Sequence, residues 1–155
     1  MGHIDNQPVK TTRSGGLCRG IDGGKKTKGR KRHIITDAMG LLLAANEHDS
    51  KAAPRVIDLL RGRFNRMIKI IADVGYRGEL IENTKKLFGW ILEIVLRSDS
   101  TQGFQVLPKR WIVERTFSWF ESYRRLGKDY ENNTDTSEAI IQLSMIKLML
   151  NRIKK

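Results

Sequence analysis

The sequence predicts an α/β domain with a mixed sheet flanked by helices, and three observations carry that prediction. Short apolar runs of strand length alternate with segments whose apolar residues recur at helical spacing. The leading part holds two such runs around a glycine-containing turn, as antiparallel strands do. The most apolar run, Met67 to Ala72, stops at an aspartate just before Gly75, as a buried parallel strand does. Strands that first meander and then alternate with helices form a layered sandwich. At 155 residues, 39% of them hydrophobic, the chain suits one domain covering residues 1–155.

His3 to Val9 can be extended. Lys10 to Arg32 holds nine Lys or Arg, six glycines and one acid, Asp22, and is expected to form a flexible or hairpin-like basic loop. Arg32 to Thr36 and Leu41 to Ala45 then form a hairpin around Asp37–Gly40. Between Lys51 and Arg61, Ala53, Val56, Ile57 and Leu60 fall on one helical face. Asp49 or Ser50 can cap that helix, and Pro54 is tolerated in its first turn. After the strand at Met67 to Ala72, Leu80, Ile81, Thr84, Leu87 and Phe88 mark a second helix, closed by Gly89. Trp90 to Leu96 reads as a further strand, and Ser98 to Gly103 as a loop. Pro108 opens a helix carrying Ile112, Val113, Phe117, Trp119, Phe120 and Tyr123. The last helix begins at Asp135 with Glu138 as its capping-box partner, and its Ala139, Leu143, Ile146, Leu150 and Ile153 are expected to face inward.

Charge gives the first functional indication. Twenty-nine Lys and Arg against seventeen Asp and Glu leave a net +12. A field of that sign draws polyanions, which makes DNA, RNA and acidic membranes the leading partners. The single cysteine, Cys18, cannot form an internal disulfide, and no apolar run approaches the ~20 residues that span a bilayer. A cytoplasmic, nucleoid-associated location is expected. Lys25, Lys26, Lys28, Arg30, Lys31 and Arg32 have no acid among them, so phosphate contact is their expected use.

A basic α/β layer invites a search for metal-binding carboxylates. Phosphodiester cleavage commonly uses two divalent ions about 4 Å apart, and magnesium takes few, oxygen-bearing protein ligands. Three acids stand where such ligands belong: Asp5 in the first extended segment, Asp73 at the end of the most apolar strand, and Glu114 on the helix after the last strand. Each also has a plain structural use. Asp5 can start a turn before Asn6-Gln7-Pro8, Asp73 can cap a turn or helix, and Glu114 can pair with Arg110 or Arg115.

The segments Ile70-Ile71-Ala72-Asp73-Val74-Gly75-Tyr76-Arg77-Gly78 and Leu107 to Tyr130, with Trp111-Ile112-Val113-Glu114-Arg115-Thr116-Phe117 at the heart of the second, closely resemble the DDE transposases of the group named for insertion sequences four and five. Ile4-Asp5-Asn6-Gln7-Pro8-Val9-Lys10 and Gly23 to Ile34 resemble the same family, so the likeness covers nearly the whole chain. It implies an RNase-H-like fold and a Mg-dependent transposase (Mn as substitute) that cleaves transposon-end DNA and transfers the strand to target DNA. It also implies Asp5, Asp73 and Glu114 as the catalytic, metal-binding triad. Arg110 matches the arginine of the family's tyrosine–arginine–glutamate–lysine signature. Leu107 and Glu121 replace its tyrosine and lysine, and the DNA contacts of those two pass to Lys109, Arg115 or Arg124.

Family members carry a DNA-binding region ahead of the catalytic domain. Only four residues precede Asp5, so the chain is expected to be a C-terminal catalytic portion, associating with itself or with the N-terminal portion. A truncated, inactive DNA-binding fragment that regulates transposition is the alternative. An RNA-binding protein of another class would present aromatics on an exposed sheet face, and none is seen.

Overall fold

The computed structural model describes residues 1–24, 26–48, 52–95 and 109–154. Six strands run in the order β1 (Gly2–Lys10), β2 (Gly20–Asp22), β3 (Thr27–Thr36), β4 (Leu42–His48), β5 (Lys69–Ala72) and β6 (Ile91–Ile94). The helices are α1 (Ala53–Asp58), α2 (Glu79–Phe88), α3 (Trp111–Glu121), the single turn α4 (Arg124–Gly127) and α5 (Thr134–Ile153). One sheet joins the strands in the order β2-β3-β1-β5-β6, with β4 on the same edge of β3 as β2. β1, β3 and β4 pair antiparallel; β1, β5 and β6 pair parallel. The predicted mixed sheet is present, and its antiparallel start followed by parallel strands is consistent with an RNase-H-like fold.

Side chains alternate across a strand, and adjacent residues of β3 accordingly feed different cores. Ile35, with its cross-strand neighbours Ile4 and Ala44, packs against Val56 and Ile57 of α1 and the apolar side of α2. Ile34 and Ala45 face the other way, against Val113, Phe117 and Phe120 of α3, Leu126, and Ile141 and Met145 of α5. Three layers result, with α1 and α2 below the sheet and α3 to α5 above it.

Several local expectations hold. Val56, Ile57 and Leu60 are fully buried. Gly89 ends α2 in the left-handed conformation at φ 70°, a geometry that suits glycine. The hairpin between β3 and β4 turns at Asp37, whose Oδ1 accepts from the backbone N–H groups of Met39 and Leu41, each at 2.8 Å.

Of the two forms expected for the basic segment, the hairpin is the one present after Gly20, because β2 pairs with the start of β3, which begins at Thr27 rather than Arg32. Other expectations are corrected. Leu87 lies on the exposed side of α2, where Thr84 alone is fully covered. Asn133, two residues before the expected start, caps α5 by accepting from the Asp135 N–H, and Glu138 accepts from Asn46 Nδ2 at 3.0 Å. α5 also presents the opposite face from the one expected: Ile141 and Met145 are buried, whereas Leu143, Ile146, Leu150 and Ile153 are exposed. The expected caps Asp49 and Ser50, the strand end at Leu96, the loop Ser98–Gly103 and the helix start at Pro108 lie outside the described residues.

Candidate active site

The parallel pairing of β1 with β5 aligns Gly2 with Ile70 and His3 with Ile71. Two residues further along each strand come Asp5 and Asp73. Adjacent strands lie ~4.8 Å apart, so the register alone sets these two carboxylates side by side at the carboxyl end of β5. That end is where open α/β sheets place their ligands. Asp5 pairs across β1 and β3 with Ile34 and so shares the face covered by α3. α3 brings Arg110, just before its first turn, and Glu114, one turn on.

Arg110 is the centre of this arrangement. Its Nε lies 3.2 Å from Glu114 Oε1 and 3.8 Å from Asp5 Oδ2, and its Nη2 lies 3.6 Å from Asp73 Oδ2. One guanidinium therefore faces all three predicted acids. The plain structural uses hold at the same time: Glu114 pairs with Arg110 within the helix, and Asp73 caps the short 3₁₀ turn Val74–Tyr76 by accepting from Gly75 N–H at 2.8 Å.

Burial grades the three carboxylates. Asp5 is 6% exposed, Asp73 partly covered and Glu114 exposed. Burial is the main cause that pushes the Asp5 carboxyl up to about 6, with the charges of Asp73 and Glu114 adding to it. The Asn6 N–H, donated to Asp5 Oδ1 at 2.7 Å, and the charge of Arg110 oppose that rise. Asp5 is thus held as a costly anion that calls for a cation beside it.

The donor set suits a hard divalent ion, because all three ligands are carboxylate oxygens converging on one cation. No three acids, histidines or cysteines among the described residues are close enough together to chelate an ion as they stand, since the guanidinium lies between them. Asp5, Asp73 and Glu114 are the residues whose oxygens could serve a divalent ion.

Two features escaped the sequence reading. His3 lies two residues before Asp5 on the same face, buried in a small cleft with Asp5, Ile71, Asp73, Arg110 and Val113. Burial, then the nearby Lys109 charge, lowers its pKa. Below the sheet, the Tyr76 hydroxyl accepts from Asn6 Nδ2 at 3.1 Å and lies 3.2 Å from His33 Nδ1, tying the turn after Asp73 to β1 and β3. The period-two spacing of His3 and Asp5 was the only signal for the first; nothing in the sequence signals the Tyr76 contacts.

The predicted DNA-binding residues divide sharply. Arg30 and Arg32 lie inside the upper layer, 2% and 1% exposed. Arg30 forms a fully buried ion pair with Asp129 and donates to the carbonyls of Leu17 (2.7 Å), Glu131 (3.0 Å) and Asn132 (2.6 Å). Arg32 donates to the Leu126 carbonyl at 3.0 Å and lies over the Phe120 ring. The expectation that this run lacks acidic partners is therefore corrected: a distant acid pairs with Arg30, and Lys31 pairs with Asp22 at 3.0 Å. Both buried arginines anchor the loop and α4 rather than face solvent. Arg115 donates to the Met39 carbonyl at 2.7 Å and lies between the Trp111 and Trp119 rings. Lys26, Lys28, Lys109 and Arg124 are exposed. Lys25 lies outside the described residues.

A mixed sheet flanked by helices is consistent with an RNase-H-like fold, and it sets Asp5 of β1 beside Asp73, just past β5, with Glu114 on the helix that covers them. The chain belongs to the transposase DDE domain family, which it matches over residues 2–150. It is also 30% identical, over 139 residues, to the transposase assigned to insertion sequence element IS402 of Burkholderia cepacia. The aligned part is 82% of this chain and 65% of that protein. No solved structure matched the chain. Among the described residues, no helix is long and apolar enough to cross a membrane.

Proposed function

We propose that this chain is the catalytic portion of an insertion-sequence transposase that cleaves transposon-end DNA and joins the freed strand to target DNA. The observation that carries this reading is the convergence of Asp5, Asp73 and Glu114 on a single cationic group, with family membership as its support. In the first step a water oxygen attacks the scissile phosphorus and the 3′-oxygen leaves, giving a 3′-hydroxyl and a 5′-phosphate. In the second, that 3′-oxygen attacks a target phosphodiester and displaces its own 3′-oxygen. Bound magnesium supplies activation of the attacking oxygen and charge stabilisation of the leaving one.

The chain's own residues fix position and charge. Asp5, inside β1, and Asp73, just past the end of β5, are held side by side, Asp73 further constrained by its bond to Gly75. Glu114, on the exposed side of α3, is the adjustable third ligand. Arg110 neutralises the cluster without DNA and is within reach of a backbone phosphate when it swings outward. Lys26, Lys28, Lys31, Lys109 and Arg124 supply phosphate contacts on a duplex. Self-association or association with an N-terminal transposase portion completes the assembly.

The test uses the chain joined to the upstream region of its element, with end-sequence DNA and magnesium or manganese. Glu114→Gln and Asp73→Asn are expected to abolish nicking while leaving DNA binding intact, and Glu121→Gln to leave nicking unchanged. Wild-type nicking by the Glu114→Gln protein would overturn the reading. Tight, salt-sensitive binding with no metal-dependent nicking by the wild type would replace it with a non-catalytic DNA-binding fragment.

A further inference from the structure

α5 is apolar on two faces, and among the described residues only one of them is covered. Ile141 and Met145 reach the core, with Ile140 and Leu148 packed beside them. On the other side, Leu143, Ile146, Leu150 and Ile153 are 61, 47, 53 and 80% exposed, and Ala139 is exposed one turn before them. The five positions fall at steps of 4, 3, 4 and 3. This is the 3.5-residue repeat of a seam between two helices, and phosphate-contacting faces have no use for it. We propose that this stripe is a self-association surface on which a second copy of the chain lays its own α5, antiparallel.

Charge selects both the partner and its direction. Asp135 sits in the first turn of α5, and Lys154 at its end. A parallel pair would bring the two basic ends together in a protein already carrying +12. An antiparallel pair centred between Leu143 and Ile146 sets Leu143 of each copy against Ile146 of the other and Leu150 against Ala139. The same register brings Asp135 of one helix beside Lys154 of the other, and it opposes the helix dipoles. The other cations on the helix are directed away from the seam: Lys147 lies over the Tyr123 ring, and Arg152 over Trp119. The stripe extends about 21 Å at 1.5 Å per residue. An apolar patch of that length reaches the few hundred Å² at which monomers stop leaving such surface uncovered.

Light scattering across a concentration series tests the proposal on the chain itself. The wild type is expected to dimerise, and Leu143→Glu and Ile146→Lys each to be monomeric, with melting temperatures close to that of the wild type when all three are diluted to the monomeric range, because neither side chain enters the core. Mixing the two variants is expected to restore a heterodimer, since the antiparallel register sets the new glutamate against the new lysine, which a parallel register does not. A wild type that remains monomeric at about 100 µM, a dimer that survives Leu143→Glu, or a mixture that fails to pair would each overturn it. Because association is read without DNA or metal, the result is independent of the proposed catalysis.

Discussion

Arg110 Nε lies 3.2 Å from Glu114 Oε1, one turn along α3, and from there the same guanidinium faces Asp5 and Asp73 on two different strands. Three carboxylates cannot gather without a cation to offset their repulsion, and Arg110 is that cation. The contacts are 3.2–3.8 Å long, and none is a well-formed hydrogen bond. An incoming ion can therefore displace the guanidinium without breaking a strong bidentate pair. Arg110→Gln is expected to melt several degrees lower than the wild type in the presence of chelator, at ~2–4 °C per kcal/mol for a chain of this size. With manganese the variant is expected to gain more in melting temperature than the wild type does. Equal gains in the two proteins would show that Arg110 and the metal do not compete.

Asp5 makes stability depend on pH in an unusual direction. Its carboxyl sits at about 6 in the fold, against an ordinary 3.8. Between those values the folded chain retains a proton that the unfolded chain releases, so stability falls as pH rises through that window and stays lower above it. Two units correspond to about 3 kcal/mol at most. Below pH 4 both states are protonated and the contribution vanishes. Asp5→Asn is expected to stabilise the metal-free chain at pH 7–8 and to be neutral near pH 4. Urea unfolding of both proteins across that range measures the difference; a constant difference at all pH values would refute the assignment to Asp5.

The Arg30–Asp129 pair has both side chains fully buried. Removing one partner leaves the other charge uncompensated in a low-dielectric interior, which typically costs about 3–5 kcal/mol. Asp129→Ala is expected to lose stability on that scale and to loosen the segment around Leu17, whose carbonyl Arg30 also holds. Chemical denaturation gives the loss. A change under about 1 kcal/mol, the size seen for surface pairs, would contradict the structural role.

Lys26 and Lys28, both exposed, are among the phosphate contacts proposed above. Lys28→Ala and Lys26→Ala are each expected to reduce the slope of log affinity against log salt by roughly 0.9 if each neutralises one phosphate. Titration of duplex DNA at several salt concentrations gives the slopes, and slopes equal to the wild type's would remove these lysines from the interface.

The site was legible where chain order determines geometry. An apolar run ending at Asp73 and an extended segment holding Asp5 are local patterns, and an α/β layout with adjacent parallel strands brings such ends together. The register that makes them neighbours was not legible, because it arises from pairing between residues almost seventy positions apart. Arg30 shows the limit most clearly. In the sequence it is one more cation in a basic run, and its partner lies 99 residues away. No local pattern records a buried ion pair of that separation. α5 failed for a different reason. With apolar residues on two faces, its spacing fits either side inward, and packing against β4 and the end of α3 decides between them. The heptad steps that seemed to mark the core face mark the exposed one.

The attachment of α3 to the β3–β4 turn has a mechanical consequence. Thr116 Oγ1 donates to the Gly40 carbonyl at 2.7 Å, and Arg115 grips the Met39 carbonyl beside it. Gly40 is at φ 78°, and a Cβ there would stand 3.0 Å from the Thr116 hydroxyl, so the turn and the helix fit without slack. These two bonds flank the middle of the helix as a pivot, with Glu114 only a residue away on the short arm. A helix pinned there cannot slide along its axis. Any approach of the Glu114 backbone to Asp5 and Asp73 must be a tilt, in which a small swing at Glu114 accompanies a larger one at the far end of the helix, near Trp119.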